Sequence, residues 1–179
     1  EYAVLENPGQ SNHDLRVTAL VSYMETHYPN MKLVGRQATN QDSNAAYRAT
    51  ASIVQANPDL GAIWIPEAGS AEGAVAAILE AKSGVLIMHA DVTPATLEHI
   101  KAGNIHMALN PNQGMQGFMG FLSVFFAAHS DVFDPFNDYK VSGFNPMQIP
   151  YVDNGFAVIT QDNADSFDLN TYMADRDPS

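Results

Sequence analysis

The chain has 179 residues, 46% of them apolar and 16% charged, with no cysteine and a formal net charge of −12. The length allows one domain with a real core, and the composition is that of a globular protein. The acidic balance repels phosphate backbones and no basic cluster offsets it, so nucleic acid is excluded as a partner, while the lack of cysteine excludes disulfides and thiol catalysis.

In chain order, Tyr2-Ala3-Val4-Leu5-Glu6 reads as a strand ended by Asn7-Pro8-Gly9. From Ser11 to Tyr28 the apolar residues Val17, Leu20, Val21, Met24 and Tyr28 recur at helical spacing, and Pro29-Asn30 stops the helix. Met31 to Val34 is the second expected strand. Asp42-Ser43-Asn44 offers caps for a helix with Ala46, Thr50, Ile53 and Val54 on its inner face, and Asn57-Pro58-Asp59 is a turn. Ala62-Ile63-Trp64-Ile65 is apolar throughout, as a strand covered on both faces should be. A helix from Ser70 to Ala81 packs Val75, Ile78 and Leu79 inward. The fourth strand runs from Val85 to Met88, and its exit continues through His89 and Ala90 to Asp91. Thr93 then suits an N-cap and Pro94 a first helical position, opening a helix that turns Leu97 and Ile100 inward and ends at Gly103. Ile105 to Leu109 is a fifth strand.

This β-α alternation with short connections predicts an α/β fold: a doubly wound parallel sheet, Rossmann-like or flavodoxin-like, in three α/β/α layers. After Asn110 the pattern changes. Met115 to Ala128 predicts a helix that is apolar on most sides, with Phe118, Phe121, Phe125 and Phe126 among its residues, and such a helix needs cover on most sides. Residues 130–148 are loop-like. Ile149 to Val152 and Phe156 to Ile159 are short strand candidates, the second at the sheet edge. Asn163 to Leu169 is a short helix candidate, and the acidic end from Asp175 reads as a mobile tail. No apolar run approaches the roughly 18 residues of a membrane span. The chain opens on Glu1 without a signal peptide, as expected of an exported protein after processing.

Ligands of doubly wound sheets bind at strand C-termini, so the exits carry the functional expectation. The first exit offers Gln10, Asn12 and Arg16, with Arg16 leaning back toward the strand end from the first turns of its helix. The second offers Asn40, Gln41 and Asp42, the third Glu67, the fourth Asp91, and the fifth Asn110 and Asn112. Amides, carboxylates and a guanidinium are fixed planar hydrogen-bonding groups that suit hydroxyl-rich ligands. Taken singly, each residue has a plainer reading as a cap or a surface group, and Asp91 in particular has a capping reading beside its ligand reading. The coincidence of five such exits is what favours binding.

Catalytic motifs are missing: neither G-x-G-x-x-G nor G-x-x-x-x-G-K-[ST] occurs, and there is no G-x-S-x-G. Gly114, Gly117 and Gly120, three apart, permit close helix packing. The six histidines at 13, 27, 89, 99, 106 and 129 lack H-E-x-x-H spacing, so no metal site is expected. His89, near Asp91, reads as a packing residue with a pH-sensitive ligand contact as its alternative.

The residues together resemble the C-terminal lobe of type I periplasmic solute-binding proteins, the ribose/galactose-type sugar binders of ABC transporters, whose fold LacI-like effector domains share. The resemblance runs over about residues 3–117 through Pro8-Gly9-x-x-Asn12-x-x-x-Arg16, Tyr28-Pro29, Asp42, Asn57-Pro58-Asp59, Ala62-Ile63-Trp64, Ala71-x-Gly73-Ala74, Asp91-x-Thr93-Pro94 and Ile100-x-x-Gly103-x-Ile105. It implies that Arg16 and Asp91 hydrogen-bond sugar hydroxyls, with help from Asn12, Glu67 and the Asn110–Asn112 turn. Two departures matter: Gln41 stands where many members stack an aromatic ring, and Glu67 adds a second carboxylate. Both favour a smaller or acyclic polyol, or a small cationic solute, over a plain sugar ring.

The resemblance further implies a ligand-binding lobe of residues 1–110 and 142–160, a crossover segment over 111–141, a tail over 161–179, and an N-terminal lobe that this chain does not contain. The apolar helix after Asn112 would then be covered by that lobe or by a second copy of the chain. The implied function is a non-catalytic solute-binding lobe, with no cofactor, that delivers ligand to an ABC transporter permease from a periplasmic or extracellular position, lipid-anchored in a Gram-positive source. The alternatives are an effector or sensor domain of a regulator, and a small α/β enzyme using Asp91 and Glu67 as an acid/base pair.

Overall fold

A computed structural model of the chain describes residues 1–129, 153 and 155–167. They fall into two compact units, one drawn from Glu1–Asn110 with Val158–Ser179 and one from Pro111–Ala157. The strands are β1 (Tyr2–Glu6), β2 (Leu33–Ala38), β3 (Ala62–Ile65), β4 (Leu86–Ala90), β5 (Met107–Pro111) and β6 (Phe156–Thr160). The helices are α1 (Ser11–His27), α2 (Ser43–Ala56), α3 (Ala71–Ala81), α4 (Pro94–Lys101) and α5 (Gln113–Ala128), with a 3-10 turn at Ala164–Ser166.

The sheet has the order β2-β1-β3-β4-β5-β6, and the pairs β1–β2, β1–β3, β3–β4 and β4–β5 are parallel. The first crossover moves outward from β1 to β2. The next returns past β1 to β3, so the winding reverses there and the β1 and β3 exits diverge. Right-handed crossovers then put α1 on one face and α2, α3 and α4 on the other. The α1 face buries Tyr2, Val4, Trp64 and Ala90 against Val17, flanked by Leu20, Val21 and Met24 of α1. The opposite face buries Ala3, Ile63, Ile65, Ile87, His89 and Ala108. This is the doubly wound α/β/α architecture that the alternation predicts.

Small residues set the closest packing. The helices α2 and α3 meet so tightly that a Cβ added to Gly73 would lie 1.8 Å from the carbonyl oxygen of Ser43. Helix starts follow the expected chemistry. Asp42 Oδ1 accepts from the Ala45 amide at 2.6 Å, and Thr93 forms a reciprocal capping box with Thr96 ahead of Pro94. Gly103 sits at φ +76 just beyond α4, where a side chain would be strained.

Several expectations need correction. The second strand begins at Leu33 rather than Met31, because Met31 closes a turn by donating its amide to Tyr28 O at 2.8 Å. The fourth strand runs on through His89 and Ala90, and the fifth starts at Met107, since the amide of Ile105 is held by His99 O in the preceding connection. Tyr28 is not on the buried face of α1: it follows the helix, 52% exposed, against the ring of Tyr23. Leu79 is 53% exposed because α3 turns Ala71, Gly73, Ala74, Val75, Ala77 and Ile78 inward instead. Phe156–Thr160 does occupy the sheet edge. The strand expected at Ile149–Val152, the loop 130–148 and the tail from Asp175 lie outside the described residues.

The second unit contains α5, none of whose residues is buried; Phe118, Phe121 and Val124 are well exposed. Among the described residues no helix is long and apolar enough to cross a membrane.

Candidate functional site

The strand exits converge through one guanidinium. Arg16, one and a half turns into α1, reaches back over the C-terminal edge of the sheet. Its Nη1 donates to Pro66 O at 2.7 Å and to Asp91 Oδ2 at 3.0 Å, and its Nη2 donates to Asp91 Oδ1 at 3.3 Å. This bidentate fork joins residues 75 positions apart and ties the exits of β1, β3 and β4 together. The two side chains remain 28% and 25% exposed, so the pair still presents an edge to solvent. On that edge guanidinium donors stand beside carboxylate acceptors, which matches a hydroxyl that both accepts and donates.

Asp91 is held in place by its backbone. It takes φ +63, a left-handed conformation that costs a non-glycine residue energy, and its amide donates to Leu109 O at 2.8 Å. The capping alternative does not apply, since Thr93 caps α4 and both carboxylate oxygens of Asp91 face Arg16. Asn110 secures the same corner from β5, its Oδ1 accepting the Val92 amide at 3.0 Å.

A second corner lies at the exits of β2 and β3. Thr39 and Ser70, both buried, share a hydroxyl hydrogen bond of 2.7 Å. Asn40 and Gln41 both have left-handed backbones, at φ 52 and 62. Gln41 passes so near Gly69 that a Cβ there would lie 2.8 Å from Gln41 O and 3.1 Å from Glu67 Oε2. Glu67 is only 2% exposed; Oε2 accepts the Ser70 amide at 3.1 Å, while Oε1 has no hydrogen-bond partner among the described residues.

Of the residues singled out in the sequence, the structure therefore brings Arg16, Asp91 and Asn110 into one hydrogen-bonded corner and sets Gln41 beside Glu67 in the next. Gln10 and Asn12 are exposed at the start of α1, and the Gln10 side chain does not cap the helix. Asn112 belongs to the other unit, where its Oδ1 caps α5 on the Met115 amide. The sequence reading missed Pro66, whose carbonyl completes the Arg16 fork. It also missed the buried pair Asn7 and His13 at the β1 exit, whose Nδ2 and Nδ1 lie 3.1 Å apart. Asn7 directly after a strand and His13 on the Val17 face of α1 were the available signal.

His89 is fully buried and donates Nδ1–H to Ala90 O at 3.1 Å, leaving Nε2 without a partner among the described residues. Burial lowers its pKa to about 4, against weaker opposing effects from the Ala90 carbonyl and Asp91. It is thus a neutral packing residue. Among the described residues no group of three or more His, Asp or Glu side chains is placed to hold a metal ion.

Residues 1–127 match the family model described as periplasmic binding protein domain. Similar solved structures include AraP, an arabinose-binding protein from Geobacillus stearothermophilus, at 28% identity and a TM-score of 0.79 over 93% of this chain and 56% of that one. A sugar-binding protein of a sugar ABC transporter from Bacillus halodurans matches at 24% identity and a TM-score of 0.75, over 93% of this chain and 57% of that one. A carbohydrate transporter solute-binding protein from Agrobacterium radiobacter, in complex with D-arabinose, matches at 21% identity and a TM-score of 0.75 over 90% and 51%. The chain thus spans little more than half the length of the proteins it matches.

Proposed function

We propose that this chain, which belongs to the periplasmic binding protein family, forms one solute-binding lobe of a non-catalytic sugar or polyol receptor serving an ABC transporter. The single observation that carries the reading is the Arg16–Asp91–Pro66 fork at the point where the sheet's winding reverses. Such points are where open α/β sheets bind ligands. The fork offers paired donors and acceptors without net charge, as a hydroxylated neutral molecule requires. The arabinose-binding relative at 28% identity supports the ligand class.

In this reading Arg16 and Asp91 contact ligand hydroxyls, while Gln10, Asn12, Gln41, Glu67 and Asn110 complete or support the rim. Ligand is enclosed when a second lobe hinges onto this one. The ligand-binding lobe comprises residues 1–110 and 142–160, with 111–141 as crossover. The same family assignment supports work outside the cytoplasm, in the periplasm or at the cell surface, with delivery to a permease as part of the proposal.

Thermal-shift screening against sugars and polyols tests the proposal. A ligand at a hundred times its dissociation constant adds roughly 2.7 kcal/mol of stability. Arg16→Ala and Asp91→Ala are each expected to abolish the shift while the protein still folds. An undiminished shift in either variant would remove that residue from the site.

A further inference from the structure

A carboxylate taken out of water normally has all its acceptor positions filled, and a buried oxygen without a partner calls for an explanation. Glu67 has one filled and one open: Oε2 holds the Ser70 amide, and among the described residues Oε1 holds nothing. Its charge is also unanswered. Arg16 is committed to Asp91 and Pro66, and among the described residues no Lys, Arg or His nitrogen forms an ion pair with Glu67. The adjoining fork is neutral, and Asp42 beside Gln41 has no cationic partner among the described residues either, so this rim is acidic; Glu67 directly follows the residue whose carbonyl Arg16 grips.

The cover over Glu67 is local. Gly69 admits no side chain because Gln41 O and Glu67 Oε2 already crowd the place where one would begin. Gln41 itself is exposed and, with Asn40, holds a left-handed backbone that glycine would adopt at less cost. Backbone strain of this kind clusters at ligand clamps and switch regions.

We infer that Glu67 sets ligand specificity on this rim by reserving Oε1 for a positively charged donor, so that the ligand is a polyol or sugar bearing a protonated amine. The inference rests on the solute-binding reading above and narrows it. Gln41 flanks the same position and gives way when the ammonium group enters. A charge-assisted hydrogen bond formed away from water favours the amine over a hydroxyl by about 10- to 100-fold.

Calorimetric titration of the protein at pH 7 with a pentitol and with its 1-amino-1-deoxy counterpart tests this. The amino compound is expected to bind about 10- to 100-fold tighter. Glu67→Gln, which keeps an oxygen for the Ser70 amide but removes the charge, should bring the two affinities within about threefold, the residual worth of a neutral hydrogen bond. Raising the pH through the amine's own ionisation should erase the preference in the unmodified protein, a readout that does not depend on the variant folding. If the pentitol binds as well as the amine, or a preference persists once the amine is neutral, the inference falls and the receptor reading stands. If neither compound nor any neutral sugar binds, the receptor reading falls and takes the inference with it.

Discussion

Removing the Asp91 carboxylate separates two contributions that the structure assigns to one residue. Asp91 accepts both arms of the Arg16 fork, at 3.0 and 3.3 Å, with about three-quarters of each side chain buried. Exposed ion pairs contribute about 0–1 kcal/mol, and hydrogen bonds to charged groups in protected places about 1.5–3. This half-way geometry therefore predicts a coupling of about 1–2 kcal/mol between Arg16 and Asp91 in a double-mutant cycle. The left-handed backbone at φ +63 costs an alanine about 1 kcal/mol relative to glycine, a strain that Asp91 already bears as a non-glycine residue. Asp91→Ala is thus expected to lose mainly the fork, about 1–2 kcal/mol, a fall in Tm of roughly 2–8 °C for a chain of this size. Asp91→Gly, which loses the same fork but relaxes the backbone, should recover about 1 kcal/mol of that. Urea unfolding of the two single variants, Arg16→Ala and the double variant measures all of these. A coupling below about 0.3 kcal/mol, which is within the usual non-additivity of distant sites, would refute a fork held in solution. A glycine variant no more stable than the alanine one would refute the strain.

Acid should expose His89. Folding keeps it neutral down to about pH 4 against an ordinary value of 6.5, so the unfolded chain binds the extra proton. Its share of stability, about 3 kcal/mol, is complete above pH 6.5 and drains as pH falls toward 4. His89→Leu should flatten that part of a pH series of denaturant midpoints, and an unchanged slope would refute the assignment. Gly73→Ala should cost about 3 kcal/mol by forcing α2 and α3 apart, whereas Gly117→Ala, with nothing within 4 Å, should be neutral or stabilising by up to about 1 kcal/mol. Matching losses at the two glycines in thermal melts would contradict the packing described. Residues 1–179 alone should self-associate through the exposed Phe118 and Phe121 of α5, and a clean monomer on size-exclusion chromatography would count against it.

What the sequence disclosed follows from what is local in it. Alternating apolar runs, the Asp42 and Thr93 caps and the Gly103 stop are decided within a few residues, so element order and the doubly wound fold were legible. Strand limits were not, because Met31 and Ile105 are apolar yet serve turns whose hydrogen bonds depend on neighbours in space. Leu79 and Tyr28 went astray because a helical stripe has two margins, and tertiary packing selects one. At the site, the residue types at the strand exits were visible, but their distribution was not. No periodicity indicates that Arg16 spends its donors on Asp91 and a backbone carbonyl, or that Glu67 lies enclosed with one oxygen idle.

Among the described residues, the four non-glycine residues with left-handed backbones are unevenly placed. Three of them, Asn40, Gln41 and Asp91, belong to loops on the C-terminal edge of the sheet, while Lys82 ends α3 at the opposite one. Anyone hardening this protein for use as a biosensor will find the easiest gains in Tm at Asn40 and Gln41, since glycine at Asp91 would forfeit the Arg16 fork. Those gains would loosen the posture of the rim proposed to bind ligand, so heat tolerance is better sought at the far edge, where nothing is asked of the backbone but to turn round.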